Sequence, residues 1–351
     1  MKIKKDYFKI IKHINKATFN FGRLLNSYKI IKAYRQRNPL VNAYPRVLQI
    51  ETTSRCSLKC VMCPRRKMTR KAEHMSMDTF KTLIDQSAGR SEIAILHLMG
   101  DPLLNPDIYE MILYCRKAGI RTVISTNGMC LSEDASRKIF ESGLDIIILS
   151  FDGATKDVFE QVRVGADYEK TVNAYRSFLE LQKNYSHKVR AVIQMIDFKA
   201  TGHEKKEFLD LWKASDADVI IKPFTRWQGD STDINKLSIS DAKLLERNLC
   251  DRAWQWLTVI SDGTVIPCCR DYDATVRLGN VNDTSVEKIW NGRLFTEFRS
   301  RHARGRSNVR ICGKCDYKAL LENNAAQIGE LLFDHYALIS LMYDLSYDAE
   351  V

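Results

Sequence analysis

Cys56-Ser57-Leu58-Lys59-Cys60-Val61-Met62-Cys63 follows closely on the apolar run Val47 to Glu51 and sets three thiols at a C-x₃-C-x₂-C spacing. Three thiolates on one short loop wrap three corners of a cubane iron–sulfur cluster and leave the fourth iron without a protein ligand. An open iron is a binding site. The competing reading is a zinc knuckle short of one ligand. Structural zinc closes with four ligands, often from two C-x-x-C pairs, and neither His97 nor a neighbouring cysteine is an obvious fourth.

Outward from this loop, short β-rich runs alternate with longer segments of helical period, the pattern of repeated βα units around a parallel sheet. The expected strands are Val47 to Glu51, Ile93 to Leu98, Arg121 to Ser125, Asp145 to Ser150, Lys188 to Met195 and Ala217 to Lys222. Helices are expected over Met77 to Gln86, Asp107 to Ala118, Glu133 to Ser142, Tyr168 to Gln182 and Lys205 to Lys213, with Ser76 and Ser132 as N-caps. Six units fall short of a closed eightfold barrel. The fold class is therefore α/β, a partial (β/α)6 TIM-like barrel open on one side, with its site on the loops after the strand C-termini.

From about Ile239 the rhythm changes. Leu257 to Ile260, the turn Ser261-Asp262-Gly263 and Thr264 to Pro267 read as a β-hairpin closing on Cys268 and Cys269. The expected division is a basic amphipathic arm over 1–45, the barrel over 46–238, a small β-hairpin/α domain over 239–318 and a helical tail over 319–351.

The chain has 351 residues, 45% hydrophobic and 28% charged, which suits one large domain plus a smaller one. No run of 18 or more apolar residues occurs and the first residues lack a signal-peptide pattern, so the expected location is cytoplasmic. There, ten cysteines gathered mostly in two groups point to metal rather than disulfides. The net charge of +11 is uneven: residues 1–40 hold eleven Lys or Arg against Asp6 alone. The basic balance thus describes an arm and excludes no function but nucleic-acid binding by the body. Within the arm, Tyr7, Ile10, Ile11, Ile14, Leu24, Leu25, Tyr28 and Ile31 recur at three-to-four spacing. Such a stretch either lies on an anionic membrane at the inner face or packs on the barrel.

The second cysteine group runs Cys250, twelve residues, Gly263, four residues, Cys268, and then Cys312-Gly313-Lys314-Cys315. Four thiolates close either a tetrahedral zinc site or a fully ligated cubane, and spacing alone does not separate them. Cys269 adjoins Cys268 and competes with it, the Gly-x₄-Cys spacing favouring Cys268. Cys115 and Cys130 read as small buried or half-buried thiols.

The first loop resembles that of the radical S-adenosylmethionine superfamily, and the second group resembles the SPASM extension of that superfamily in its shortened "twitch" form, since no cysteine follows Cys315. The resemblance covers about residues 46 to 318. It implies S-adenosylmethionine chelated on the open iron, a 5′-deoxyadenosyl radical, and two [4Fe–4S] clusters, one held by Cys56, Cys60 and Cys63, the other by Cys250, Cys268, Cys312 and Cys315. It also implies cofactor contacts at Met62, at Gly100-Asp101-Pro102 in place of the family's Gly-Glu-Pro, at Ser125-Thr126-Asn127, at Ser150, at Arg163 and at Gln194. These segments fall at successive strand ends, where separate βα units converge on one ligand.

A fully ligated auxiliary cluster has no free iron for substrate and suits electron transfer. The expected reaction is therefore oxidation of a small polyol, aminosugar or lipid-linked molecule, fed by an external donor such as flavodoxin or ferredoxin. A peptide-modifying maturase is the alternative. It is weakened by the length of the basic N-terminal segment, about 45 residues, too short for the strand-and-helix peptide-binding domain such enzymes often carry. The residues do not single out a catalytic acid or base.

Overall fold

The computed structural model describes residues 21–227, 232–239, 249–313 and 315–316. Six parallel strands form its body: β1 (Val47–Ile50), β2 (Ile93–Ile95), β3 (Arg121–Thr126), β4 (Ile146–Ser150), β5 (Arg190–Asp197) and β6 (Asp218–Pro223). The sheet continues through β7 (Trp256–Val259), β8 (Thr264–Ile266) and β9 (Gly279–Asn280), in the order β6-β5-β4-β3-β2-β1-β7-β8-β9, and does not close.

The helices follow their sequence signals. Helix α1 (Phe21–Arg35) precedes the sheet, and α2 (Met77–Ser87), α3 (Ile108–Lys117), α4 (Glu133–Ser142), α5 (Lys156–Val162), α6 (Tyr168–Leu181) and α7 (Lys205–Trp212) cross over between strands. Ser76 accepts the amide of Thr79 and Ser132 that of Ala135, satisfying N–H groups that lack a partner within the helix. The seven-residue α5 has too few turns to give a periodic signal and was not expected. It matters because Arg163 is its C-cap.

Side-chain alternation along the strands explains where the site lies. The inward positions start apolar and end polar: Val47 then Gln49, Ile95 then His97, Val123 then Ser125, Ile148 then Ser150, Val192 then Gln194, Ile220 then Lys222. Val47, Ile93, Val123, Ile146, Val192 and Trp256 plug the lower interior as one apolar cluster. The outward positions, among them Leu48, Ile50, Ala94 and Ile124, pack under the helices. An apolar plug under a polar rim makes a cup open at the strand C-termini.

Two flanking segments join the body. The C-terminal hairpin does not form a sheet of its own, because β7 pairs in parallel with β1 over Val47↔Trp256 to Ile50↔Val259. The segment 21–45 packs on the body: α1 buries Ser27, Ile30, Ile31 and Ala33. Arg23 Nη2 donates to the Gly119 carbonyl at 2.7 Å, Ser27 Oγ to Glu92 at 2.8 Å and the Tyr34 hydroxyl to the Leu249 carbonyl at 3.0 Å. Glu92 and Gly119 precede β2 and β3, so α1 covers the end of the sheet opposite the cup. Tyr7, Ile10, Ile11 and Ile14, and the tail over 319–351, lie outside the described residues. Among the described residues no helix is long and apolar enough to cross a membrane.

Candidate functional site

The cup holds a cavity of about 390 Å³ whose two ends differ in chemistry. At one end stand Cys56, Cys60 and Cys63. Their loop is pinned to the chain after α5 by Lys59 N–H to the Val164 carbonyl and Val61 N–H to the Val162 carbonyl, both 2.9 Å. Cys63 then caps a 3₁₀ turn, Pro64–Lys67, with proline at its start. Each thiol feels the charge of another, and burial raises all three pKa values, Cys60 to about 12. Three half-buried thiols lining one cavity fit a cluster with one open iron. Loading it must release their protons. Among the described residues no three His, Cys, Asp or Glu side chains sit close enough to grip a single ion.

The expected cofactor residues surround that end. Met62, Gly100, Asp101, Ser125, Thr126, Asn127, Ser150, Arg163 and Gln194 all line the cavity, and Pro102 does not. Pro102 instead opens the 3₁₀ turn Pro102–Leu104. A Cβ on Gly100 would lie 2.2 Å from the Thr53 carbonyl oxygen and 2.6 Å from that of Arg55, so only glycine lets this loop press against the cysteine loop. Asp101 is buried and accepts from Thr126 Oγ1 at 3.1 and 3.0 Å, from Asn127 N–H at 2.8 Å and from Leu103 N–H at 3.0 Å. Its carboxylate therefore fixes the turn that carries Asn127, and any cofactor amine would share it. Asn127 Nδ2 lies 3.6 Å from Cys56 Sγ. Ser125 and Ser150 hydroxyls meet at 3.1 Å across β3 and β4.

Arg163 and Asp152 form a buried ion pair at 2.6 Å, and Asp152 also accepts the Ile196 amide at 2.7 Å. Burial opposes the guanidinium charge, but Asp152 and Cys60 outweigh it and raise the Arg163 pKa. Arg163 Nε is buried without a hydrogen-bond partner. An unsatisfied cationic N–H beside the cysteine loop fits the carboxylate of a cofactor such as S-adenosylmethionine.

The far end was largely unforeseen. His97, Lys222, Arg252, Trp256, Cys269 and Arg270 line it, and Trp227 bridges the two ends, its Nε1 donating to the Met62 carbonyl at 2.9 Å. Burial lowers His97 to about 4, so its imidazole is neutral. Burial, then Arg270 and Arg252, lower Lys222 to about 8. Lys222 ends β6, and the strand-end rule that singled out the cofactor residues applies to it equally.

Behind this end lies the second thiol group. Cys250, Cys268 and Cys315 influence one another electrostatically, and Cys312 feels all three. Burial raises Cys250 to about 12 and raises Cys268 and Cys312 as well. Arg306 Nη2 donates to the Cys315 carbonyl at 3.0 Å. Cys269 is different: Arg252 Nη1 approaches its sulfur at 3.6 Å, and although burial pushes its pKa up, Arg252, Arg270 and Lys222 bring it below the ordinary value. Neighbouring residues leaving a strand face opposite ways. Cys268 thus meets the other thiols and Cys269 meets the cavity. Cys115 is core and Cys130 is half-buried; neither lines the cavity.

Residues 50–196 match the radical SAM superfamily and residues 250–316 match SPASM, an iron–sulfur cluster-binding domain. The tungsten-containing aldehyde ferredoxin oxidoreductase cofactor-modifying protein of Pyrococcus furiosus is 22% identical over 296 residues, covering 72% of this chain and 82% of its own length. Among solved structures, BtrN in complex with AdoMet and 2-DOIA has a TM-score of 0.52 at 20% identity, covering 77% of this chain and 92% of its own. Streptococcus suis SuiB bound to precursor peptide SuiA has a TM-score of 0.62 at 15% identity, covering 85% and 75%. At such identities these structures share the fold. Other curated relatives match over about a third of their length. Both matched regions carry the thiol groups just described, and the chain belongs to the radical SAM superfamily, as an enzyme that uses S-adenosylmethionine with a [4Fe–4S] cluster and carries a C-terminal SPASM domain.

Proposed function

We propose that this enzyme oxidises a small polyol, aminosugar or lipid-linked molecule by two electrons. Bound S-adenosylmethionine and its cluster supply hydrogen-atom abstraction, and one auxiliary cluster supplies an electron acceptor. Cys56, Cys60 and Cys63 hold the first group, while Cys250, Cys268, Cys312 and Cys315 hold the second. Arg163, kept charged by Asp152, takes the cofactor carboxylate. Asn127, Ser125, Ser150, Met62 and Gln194 complete its walls.

The observation that carries the reading is the join between Cys268 and Cys269. One residue faces the auxiliary thiols and the next lines the cavity, so the acceptor site begins one peptide bond from the substrate space. Oxidation removes one hydrogen atom to 5′-deoxyadenosine, one electron to the auxiliary site and one proton to solvent. A flavodoxin or ferredoxin then serves as external donor to the first site. A cavity of about 390 Å³ suits a small substrate beside the cofactor better than a folded peptide.

The test incubates the anaerobically reconstituted enzyme with deuterated metabolites and candidate peptides. Deuterium in 5′-deoxyadenosine together with a product lighter by two hydrogens supports the reading. A product at the substrate's own oxidation level, or a cross-linked peptide as the sole product, overturns it.

A further inference from the structure

We propose that Lys222, Arg252 and Arg270 form a subsite that binds an anionic group of the substrate, phosphoryl or carboxylate. The inference rests on the reading of this cavity as the substrate space. All three side chains line the far end of the cavity, which Trp227 joins to the cysteine loop through its bond to the Met62 carbonyl. Arg252 stacks on Trp256 with its guanidinium carbon 3.9 Å from the ring centroid, and Arg270 on Trp227 at 4.5 Å. The rings fix the planes of both guanidinium groups, the geometry with which arginine recognises an oxyanion. Arg270 Nη1 donates to the Thr225 carbonyl at 3.1 Å, and its Nε is buried with no hydrogen-bond partner.

The charge balance makes the case. Among the described residues neither Lys222 nor Arg270 forms an ion pair with a carboxylate. Asp152, the carboxylate that influences Lys222, is already bonded to Arg163. Asp316, which feels Arg270, accepts the Arg226 amide at 2.9 Å. Lys222 and Arg270 are half-buried, and a bound oxyanion gives them the charge-assisted hydrogen bonds that no carboxylate of the chain supplies.

A competing role for the trio is to offset the charge of the auxiliary thiolates. Arg252 and Arg270 lie close enough to serve both purposes. Lys222 lies on β6, remote in sequence from every auxiliary cysteine, and the charges that act on it most are Arg270, Arg252, Cys269 and Asp152. Arg306, which feels Cys250 and bonds the Cys315 carbonyl, serves the auxiliary side instead. Lys222 is therefore the discriminating residue.

The experiment titrates inorganic phosphate, and separately acetate, into the cluster-loaded enzyme saturated with S-adenosylmethionine, by anaerobic calorimetry. The comparison is with Lys222→Gln and Lys222→Arg at matched iron content. Binding should weaken about tenfold or more in Lys222→Gln, as expected for losing one charged hydrogen bond, and be largely kept in Lys222→Arg. Preference for phosphate identifies a phosphoryl ligand, and preference for acetate a carboxylate. Equal binding by wild type and Lys222→Gln overturns the subsite. So does a shift of the auxiliary-cluster electron paramagnetic resonance signal in Lys222→Gln with anion affinity unchanged. The two readings fail separately. A deuterium-donating substrate without an anionic group removes the subsite and keeps the oxidation, whereas a redox-neutral product removes the oxidation and leaves the anion titration standing.

Discussion

Asp152→Asn isolates one charge at the cofactor end of the cavity. The Arg163 and Asp152 side chains are 6% and 1% exposed and meet at 2.6 Å, while a separate Asp152 oxygen holds the Ile196 amide. Asparagine keeps the shape and can keep the Ile196 bond, so the change leaves the Arg163 guanidinium buried and uncompensated. Removing one partner of a buried pair costs about 3–5 kcal/mol, far above the value of an exposed pair. Arg163 Nε already lacks a partner, and Cys60 is the main charge left to offset the guanidinium. Anaerobic urea unfolding of the cluster-loaded protein should show that deficit without S-adenosylmethionine. With the cofactor present, its carboxylate supplies the missing anion, and the variant should gain more stability from ligand than wild type does. A deficit below about 1 kcal/mol, with equal ligand-induced gains in both proteins, refutes the placement of Arg163 at the cofactor carboxylate.

Replacing Cys56, Cys60 or Cys63 by Ala should remove about four of about eight irons per chain and abolish dithionite-driven 5′-deoxyadenosine formation; iron assay and chromatography check both. Replacing Cys312 and Cys315 together should leave that formation intact while oxidised product disappears, once solubility and about four remaining irons are confirmed. Normal product from the soluble variant would make the second group structural. Sulfate affinity, followed by calorimetry, should fall as pH rises through the Lys222 pKa of about 8, because the charged form is lost above it. The other charges that act on Lys222 are Arg270, Arg252, Cys269 and Asp152, so Lys222→Gln, which removes the lysine alone, should flatten the profile. A flat wild-type profile from pH 7 to 9 argues against Lys222 as an anion ligand.

The parts of the fold visible in the sequence are those set by local chemistry. Alternation placed the six parallel strands within a few residues, and Ser76 and Ser132 marked helix starts because their hydroxyls accept N–H groups three residues on. The parallel pairing of β7 with β1 had no local signal, since about 200 residues separate partners such as Val47 and Trp256. The same distance hid the far end of the cavity. Arg252 and Arg270 read as ordinary charges beside cysteines until β7 and the chain after β8 bring them to Lys222. Between Cys268 and Cys269, spacing favoured the first and the structure separates them by direction: one sits among thiols, the other on the cavity wall.

The placement of β7 also divides the labour of the cavity. Its cofactor end is built on the loops and C-terminal ends of β1 to β5 with the α5 cap, and its far end on β6, the chain before β7 and the chain after β8. Trp256 belongs to both parts of this design, plugging the floor with Val47 while supporting Arg252 above. A hairpin carried on a separate sheet would have left the far end open to solvent and the auxiliary thiols remote from it. By adding its first strand to β1, the chain makes the domain that holds the second thiol group also the wall that meets the substrate. On the proposed reading, changes at Lys222, Arg252 or Arg270 would alter which molecule is accepted while Gly100, Asp101, Asn127 and Arg163 would keep the geometry of the cofactor.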